Sequence, residues 1–215
     1  MYEDKHLIFA VKPVGVLSQK GDGENMVDLL SQVRGQVYPV HRLDRAVGGV
    51  MVFAKTSDCA AKLSATVSRN EMVKEYVAVL CGIPEDESGI LKDLLFKDSS
   101  KNKSFVVKRQ RKGVKEASLE YRLLSTADNL SLVKIKLHTG RTHQIRVHMS
   151  YIGHPVAGDE VYGPRKVITK LGGQCLHAKK IGFVHPVSGE YMEFDSELPD
   201  YFKDFLEDCK NNGTV

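Results

Sequence analysis

Residues 41–55 read HRLDRAVGGVMVFAK: an aspartate, Asp44, between Arg42 and Arg45, then Gly48-Gly49 and a run of apolar residues. The run GVMVFAK is apolar at successive positions, which predicts a strand buried on both faces near the centre of a sheet. HRLDR then reads as the loop that feeds it. A nearby arginine favours the ionised form of a carboxylate, and an ionised aspartate is a candidate nucleophile where a protonated one is not. The structural alternative is a salt-bridged turn.

Working outward, HLIFAVKPVGVLSQ predicts a strand from Leu7 to Lys12, broken by Pro13 and turned at Gly15. Met26 to Val33 has a short helical pattern. Ser57 is a plausible N-cap for a helix that puts Ala60, Leu63 and Val67 on one face. MVKEYVAVL alternates as a strand does, with Lys74 and Tyr76 on one face and Val73, Val77 and Val79 on the other. In LSLVKIKLHTG, Val133, Ile135 and Leu137 oppose Lys134, Lys136 and His138, as in a half-buried strand. Thr142 is a candidate cap for a helix through Ile145, Val147 and Met149, stopped by Gly153 and Pro155. QCLHAKKIGFVHP and GEYMEF predict a hairpin turned at VSGE. Strands dominate and helices do not alternate with them strictly, so the expected architecture is α+β around a mixed or antiparallel sheet.

The chain of 215 residues is long enough to bury a sizeable core, and 42% hydrophobic with 27% charged residues is ordinary for a globular protein. It has no apolar run of membrane-spanning length and no basic-then-apolar leader, so a cytoplasmic protein with no membrane partner is the default. Cys59, Cys81, Cys175 and Cys209 lie far apart, which suits reduced structural thiols better than a zinc site or disulfide framework. The net charge of +4 conceals an asymmetry. Residues 97–116 hold eight Lys or Arg against Asp98 and Glu116, whereas 190–209 hold eight acids against Lys203. The basic stretch, Lys108, Arg109 and Arg111 included, reads as irregular or hairpin structure suited to a polyanion; a solvated basic loop is the plain alternative. Residues 190–215 form an acidic carboxy-terminal segment.

A second cluster runs HTGRTHQIRVH from His138 to His148, crossing from a strand end into a helix start. Backbone N–H groups at a helix start favour anions, and Arg141 and Arg146 add fixed charge. The plain reading is a capped helix with Arg146 and His148 on its surface. No metal site is expected: His143 and His148 are five apart where one helical face wants four, and no HExxH is present.

Taken together, HRLDR with GGVMVFAK, then VKEYVAVLCG, LHTGRTHQIRVHMSYIGHPVAGDEVYG and LHAKKIGFVHPVSGE resemble the RluA-type pseudouridine synthases in content and in order, over roughly residues 3 to 199. The resemblance implies the α+β pseudouridine synthase catalytic fold, a mixed, largely antiparallel sheet flanked by helices with a central RNA-binding cleft. It implies conversion of specific uridines in structured RNA, ribosomal or transfer, to pseudouridine, with no cofactor and no metal. The family's essential aspartate falls on Asp44, its active-site tyrosine on Tyr76 and its aspartate-pairing arginine on Arg141. Arg42 falls on the residue that fills the gap left by a flipped base. Arg45, Lys74 and Arg146 join Lys108, Arg109 and Arg111 as expected RNA contacts.

Two departures stand out. Many members carry Thr-Ser-Gly where this chain has Val47-Gly48-Gly49, which removes two hydroxyls near the aspartate. Many also carry an amino-terminal S4 RNA-binding domain, whereas this chain opens on the catalytic block. One domain over 1–215, capturing RNA by itself as a monomer, is the expectation. Rival readings are a nucleoside or glycoside hydrolase, which ordinarily needs two flanking carboxylates, and a non-catalytic RNA-binding or ribosome-assembly protein that keeps the fold. A kinase is excluded, since HRLDR is not H-R-D-L-x-x-x-N and no DFG follows.

Overall fold

A computed structural model describes residues 2–163, 174–203 and 207. In chain order the first elements are β1 (Tyr2–Glu3), β2 (Leu7–Lys12), α1 (Met26–Arg34), β3 (Tyr38–Pro39), β4 (Gly48–Ala54) and α2 (Ser57–Ser68). There follow β5 (Val73–Cys81), β6 (Ser88–Asp98), β7 (Lys103–Val107), β8 (Val114–Ala127) and β9 (Leu130–Leu137). Last come α3 (Gln144–Tyr151), β10 (Leu176–Val184) and β11 (Tyr191–Asp195). A mixed sheet with a few helices makes the chain α+β, as the sequence indicated. The chain divides into two compact units, Met1–Lys74 with His177–Glu197, and Glu75–Leu176 with Leu198–Val215.

In the first unit β2 runs antiparallel between β1 and β4, and β4 runs parallel to β10, with His177 opposite Gly48 and Ala178 opposite Gly49. The β10–β11 hairpin turns where VSGE predicted, with Gly189 at φ 77°. All seven residues of β4 are buried, which is why its sequence is apolar without alternation. Leu7, Phe9, Val50, Val52, Leu63 and Phe183 form the core of this unit. Helix α2 is capped one residue earlier than expected: Thr56, not Ser57, is extended at φ −131° and accepts the Cys59 amide at 3.3 Å. Gly49 has a positive φ of 128°, and a Cβ there would lie 2.6 Å from the amide nitrogen of Ala178. Only glycine fits that approach.

The second unit is an antiparallel sheet in the order β5, β9, β8, β6, β7. Val77, Val79, Leu132, Cys175 and Phe202 form one of its cores. The basic stretch runs through the β6–β7 hairpin, the turn 108–113 and the start of β8, with Lys108, Arg109, Arg111 and Lys112 in that turn. The start of α3 corrects the expected cap. His143, not Thr142, stands at the N-cap, in left-handed backbone at φ 55°, with no side-chain cap bond. Its end follows the prediction, with Gly153 at φ 91° and the His154 amide returning to Met149 O at 2.9 Å.

Among the described residues no disulfide joins Cys59, Cys81 and Cys175, and no helix is long and apolar enough to cross a membrane. Cys209 and much of the acidic segment 190–215 lie outside the described residues.

Candidate active site

In the first unit, Asp44 opens a turn. Its carbonyl accepts the Val47 amide at 3.0 Å, and β4 begins at the next residue. Both of its neighbours are fixed to the segment 12–18. Leu43 is buried, its amide donating to Ser18 Oγ at 2.9 Å while that hydroxyl donates to Leu43 O at 2.8 Å. The Arg45 carbonyl accepts the Gly15 amide at 2.8 Å, and Arg45 Nε donates to Gly15 O at 2.8 Å. Asp44 itself is half-buried, whereas Arg42 and Arg45 are exposed.

Lys12 supports this turn from inside. It has no exposed surface, and its Nζ donates to Pro13 O at 2.8 Å, Val16 O at 2.7 Å and Arg45 O at 3.2 Å, which uses all three ammonium protons. Burial pulls its pKa down to about 8, with the negative charge of Asp44 opposing the fall. His41, at the head of HRLDR, accepts the Val52 amide on Nε2 at 3.1 Å. Burial, helped by the charge of Lys74, pushes its pKa down to about 3, so the ring is neutral and ties the loop to β4. Lys74 is buried at 8% exposure. Its side chain is thus largely withdrawn from solvent, unlike those of Arg42 and Arg45.

In the second unit, Tyr76 lies on β5 opposite Ile135 of β9, nine-tenths buried. The turn after β9 is held by a polar network centred on Gln144, which is 3% exposed. Its Oε1 accepts from Thr139 Oγ1 at 2.7 Å and from the Arg141 amide at 2.9 Å, and its Nε2 donates to Ser118 O at 3.0 Å. Arg141 Nε donates to Glu116 O at 2.9 Å, so the guanidinium is aimed by β8. Further along α3, Arg146 is buried and forks onto Asp159. It points inward, not towards a phosphate on the surface. His143 Nδ1 lies 3.0 Å from Tyr162 Oη, which accepts the Ser104 amide at 2.7 Å and so links α3 to the basic hairpin.

Lys108, Arg109, Arg111, Lys112 and Lys115 are exposed, with Arg111 packed 4.7 Å over the Phe96 ring. Lys103 of the same stretch is engaged internally, over the Tyr162 ring at 4.8 Å and on Val161 O at 2.8 Å. No cluster of three His, Cys, Asp or Glu side chains able to hold a metal occurs among the described residues.

Sequence reasoning passed over Lys12, Ser18, Gln144 and Asp159. A lysine closing an apolar strand before proline was a usable signal for the first. Gln144 lay within the HTGRTHQIRVH block. Ser18 gave no local sign, because its partner Leu43 is 25 positions away, and Asp159, though it caps its own turn at Val161 and Tyr162, did not reveal its pairing with Arg146.

The RNA pseudouridylate synthase family model matches residues 6–151. An uncharacterized RNA pseudouridine synthase of Bacillus subtilis is 35% identical over 224 residues, covering 99% of this chain and 73% of that protein. The ribosomal large subunit pseudouridine synthase D of Zymomonas mobilis is 34% identical over 219 residues, covering 93% and 68%. Human RNA pseudouridylate synthase domain containing 4 shares the fold, with a TM-score of 0.80 at 24% identity over 97% of this chain and 92% of that one. With HRLDR, the K-x-Y strand and the TGRTHQIR turn all inside the matched span, the chain belongs to the RNA pseudouridylate synthase family of RNA-modifying isomerases.

Proposed function

We propose that Asp44 is the carboxylate that drives uridine isomerisation in this chain, that both units serve one catalytic domain, and that its substrate is ribosomal RNA. The observation that carries the first part is the setting of Asp44. A half-buried carboxylate stands on a turn locked at both neighbouring residues, between two exposed arginines and against a buried lysine. Ribosomal RNA is favoured by the name of the Zymomonas mobilis relative, a ribosomal large subunit pseudouridine synthase. A monomer in the cytoplasm suffices for this activity.

The reaction breaks the bond from uracil N1 to ribose C1′, turns the base within its pocket and joins C5 to C1′. C5 loses a proton and N1 gains one, so atoms and electrons balance without an oxidant. Attack at C1′, attack at C6 and removal of the 2′ proton all call on the same ionised carboxylate. A stacked uridine must first be flipped out, at a cost of a few kcal/mol. The Tyr76 ring is the proposed platform for the everted base, a contact worth roughly 1–3 kcal/mol, and the proposed acceptor or director of the C5 proton. Arg141 is the proposed ionic partner of Asp44, so its loss lowers turnover more than RNA affinity. Arg42, exposed beside Asp44, is proposed to fill the gap left in the RNA. Excluding water keeps the detached base from being lost to hydrolysis.

The test uses tritium release from RNA labelled at uridine C5. The Asp44→Ala protein is expected to release none while binding the RNA as the parent does. Release at the parent rate overturns the assignment of Asp44; no release by the parent itself favours the non-catalytic reading, and free uracil among the products favours the hydrolase.

A further inference from the structure

Asp44 makes its turn between two residues, and one hydroxyl engages both backbone groups of the residue before it. Ser18 Oγ accepts the Leu43 amide at 2.9 Å and donates to the Leu43 carbonyl at 2.8 Å, across 25 positions of sequence. Ser18 is 4% exposed and Leu43 6% exposed, so water does not readily replace that hydroxyl. The serine is itself held in place. Leu17 beside it exchanges backbone bonds with the loop ahead of α1, its amide on Glu24 O at 2.9 Å and its carbonyl accepting the Met26 amide at 2.8 Å. On the far side of Asp44, Lys12 Nζ reaches Arg45 O and Val16 O, so one short stretch grips the aspartate turn at both ends.

We propose that Ser18 is a positioning residue for the isomerisation, fixing the backbone of Leu43 so that the Asp44 carboxylate is presented to the flipped uridine in one orientation. The inference rests on the reading of Asp44 as the catalytic carboxylate. Its physical basis is that a reacting group gains its rate from being held in near-attack geometry, where displacement by about 1 Å costs on the order of 100-fold. A serine hydroxyl is both donor and acceptor, which a backbone pair on one residue requires. Alanine is neither. Threonine keeps both functions and adds only a methyl group.

The experiment compares Ser18→Ala, Ser18→Thr and Asp44→Ala in the full chain, with a 5-tritiated large-subunit ribosomal RNA transcript as the probe. Rate constants, KM and melting temperature are measured for each. Ser18→Ala is expected to lower kcat by about tenfold or more with KM within about twofold of the parent. Ser18→Thr is expected to restore kcat to within about threefold, whatever its melting temperature. An alanine variant with parental kcat, or a threonine variant as slow as the alanine one, overturns the proposal. If Ser18→Ala does not fold, Ser18→Cys takes its place: a kcat below that of Ser18→Thr at equal KM supports the proposal, and equal kcat overturns it. Asp44→Ala separates the two readings. An inactive Asp44→Ala beside a fully active Ser18→Ala sinks only the role of Ser18, whereas an active Asp44→Ala sinks the reading beneath it.

Discussion

Arg146 and Asp159 meet as a forked ion pair, Nε on one carboxylate oxygen at 2.7 Å and an outer guanidinium N–H on the other at 2.8 Å, with side chains 7% and 0% exposed. The same carboxylate accepts the amides of Val161 at 2.9 Å and Tyr162 at 3.1 Å. Burial pushes the Asp159 pKa up, but the fork and these two N–H groups outweigh it and leave the group below the usual carboxylate range. One arginine thus organises the turn that carries Tyr162, over whose ring its own guanidinium lies at 5.1 Å.

Removing one partner of such a pair leaves a buried charge uncompensated, which costs roughly 3–5 kcal/mol. Arg146→Met is therefore expected to lower unfolding stability by about that amount in a denaturant titration. The salt dependence of RNA binding by the folded fraction should not change. A stable variant with a flatter salt slope would return Arg146 to the RNA-contacting set.

Gly48 and Gly49 stand where many relatives have serine and glycine, and they differ in what they tolerate. At Gly49, positive φ and the adjacent Ala178 backbone leave no room for a Cβ, so Gly49→Ala should prevent folding or cost more than about 3 kcal/mol. At Gly48 a Cβ would sit 3.2 Å from Lys12 O and 3.3 Å from Val14 Cγ2, contacts that a shift of a few tenths of an ångström relieves. Gly48→Ser is expected to fold with a loss of about 1 kcal/mol or less. Thermal unfolding of the two variants side by side checks the contrast.

The exposed Lys108, Arg109, Arg111 and Lys112 are the proposed phosphate contacts. Each neutralised phosphate of a single strand contributes about −0.7 to the slope of log affinity against log salt. Replacing all four by alanine should weaken RNA binding at low salt and flatten that slope by roughly 0.7 for every phosphate no longer neutralised. An unaltered slope across a salt titration would remove this face from the interface.

Acid sensitivity follows from buried histidines. His177 is 2% exposed, and burial, with the charge of Lys179, pushes its pKa down to about 4. Between that value and about 6.5 the unfolded chain binds a proton that the folded one does not. Its contribution is therefore present above about pH 6.5 and is lost as pH falls through the folded pKa. At about 1.4 kcal/mol per unit, His177 alone is expected to contribute a loss of roughly 3 kcal/mol from about pH 7 to about pH 4. His41 acts in the same direction over the same window and on down to about pH 3, adding to the loss from His177, since protonating Nε2 breaks its bond from the Val52 amide. Denaturant midpoints across this range, with His177→Gln as the control of reduced slope, test the assignment.

Period and composition were enough to read β2, β4, β5, β9 and the β10–β11 hairpin and the fold class, but not β8, whose 14 residues, Val114–Ala127, alternate only in part and were not read as a strand. The unbroken apolar run of β4 reflected burial on both faces, and Gly153 marked the end of α3, because each of these is decided by neighbours along the chain. The order of HRLDR, K-x-Y and TGRTHQIR likewise carried the family. Charge by itself did not tell buried cations from exposed ones. Lys74 and Arg146 read as surface cations like Arg42, yet both are buried, whereas Lys108 and Arg109 are exposed. The N-cap of α3 was misjudged for a related reason: Gln144 already ties the preceding turn to Ser118, 26 residues away, and the helix starts from His143 in left-handed backbone.

What the residues alone determined were the local preferences and the motif that marks Asp44. What only the tertiary structure decided was how that aspartate is held. The Ser18 hydroxyl on Leu43 and the Lys12 ammonium on Arg45 bridge 25 and 33 positions, and a hydrogen bond between distant segments leaves no periodic trace in the sequence that makes it.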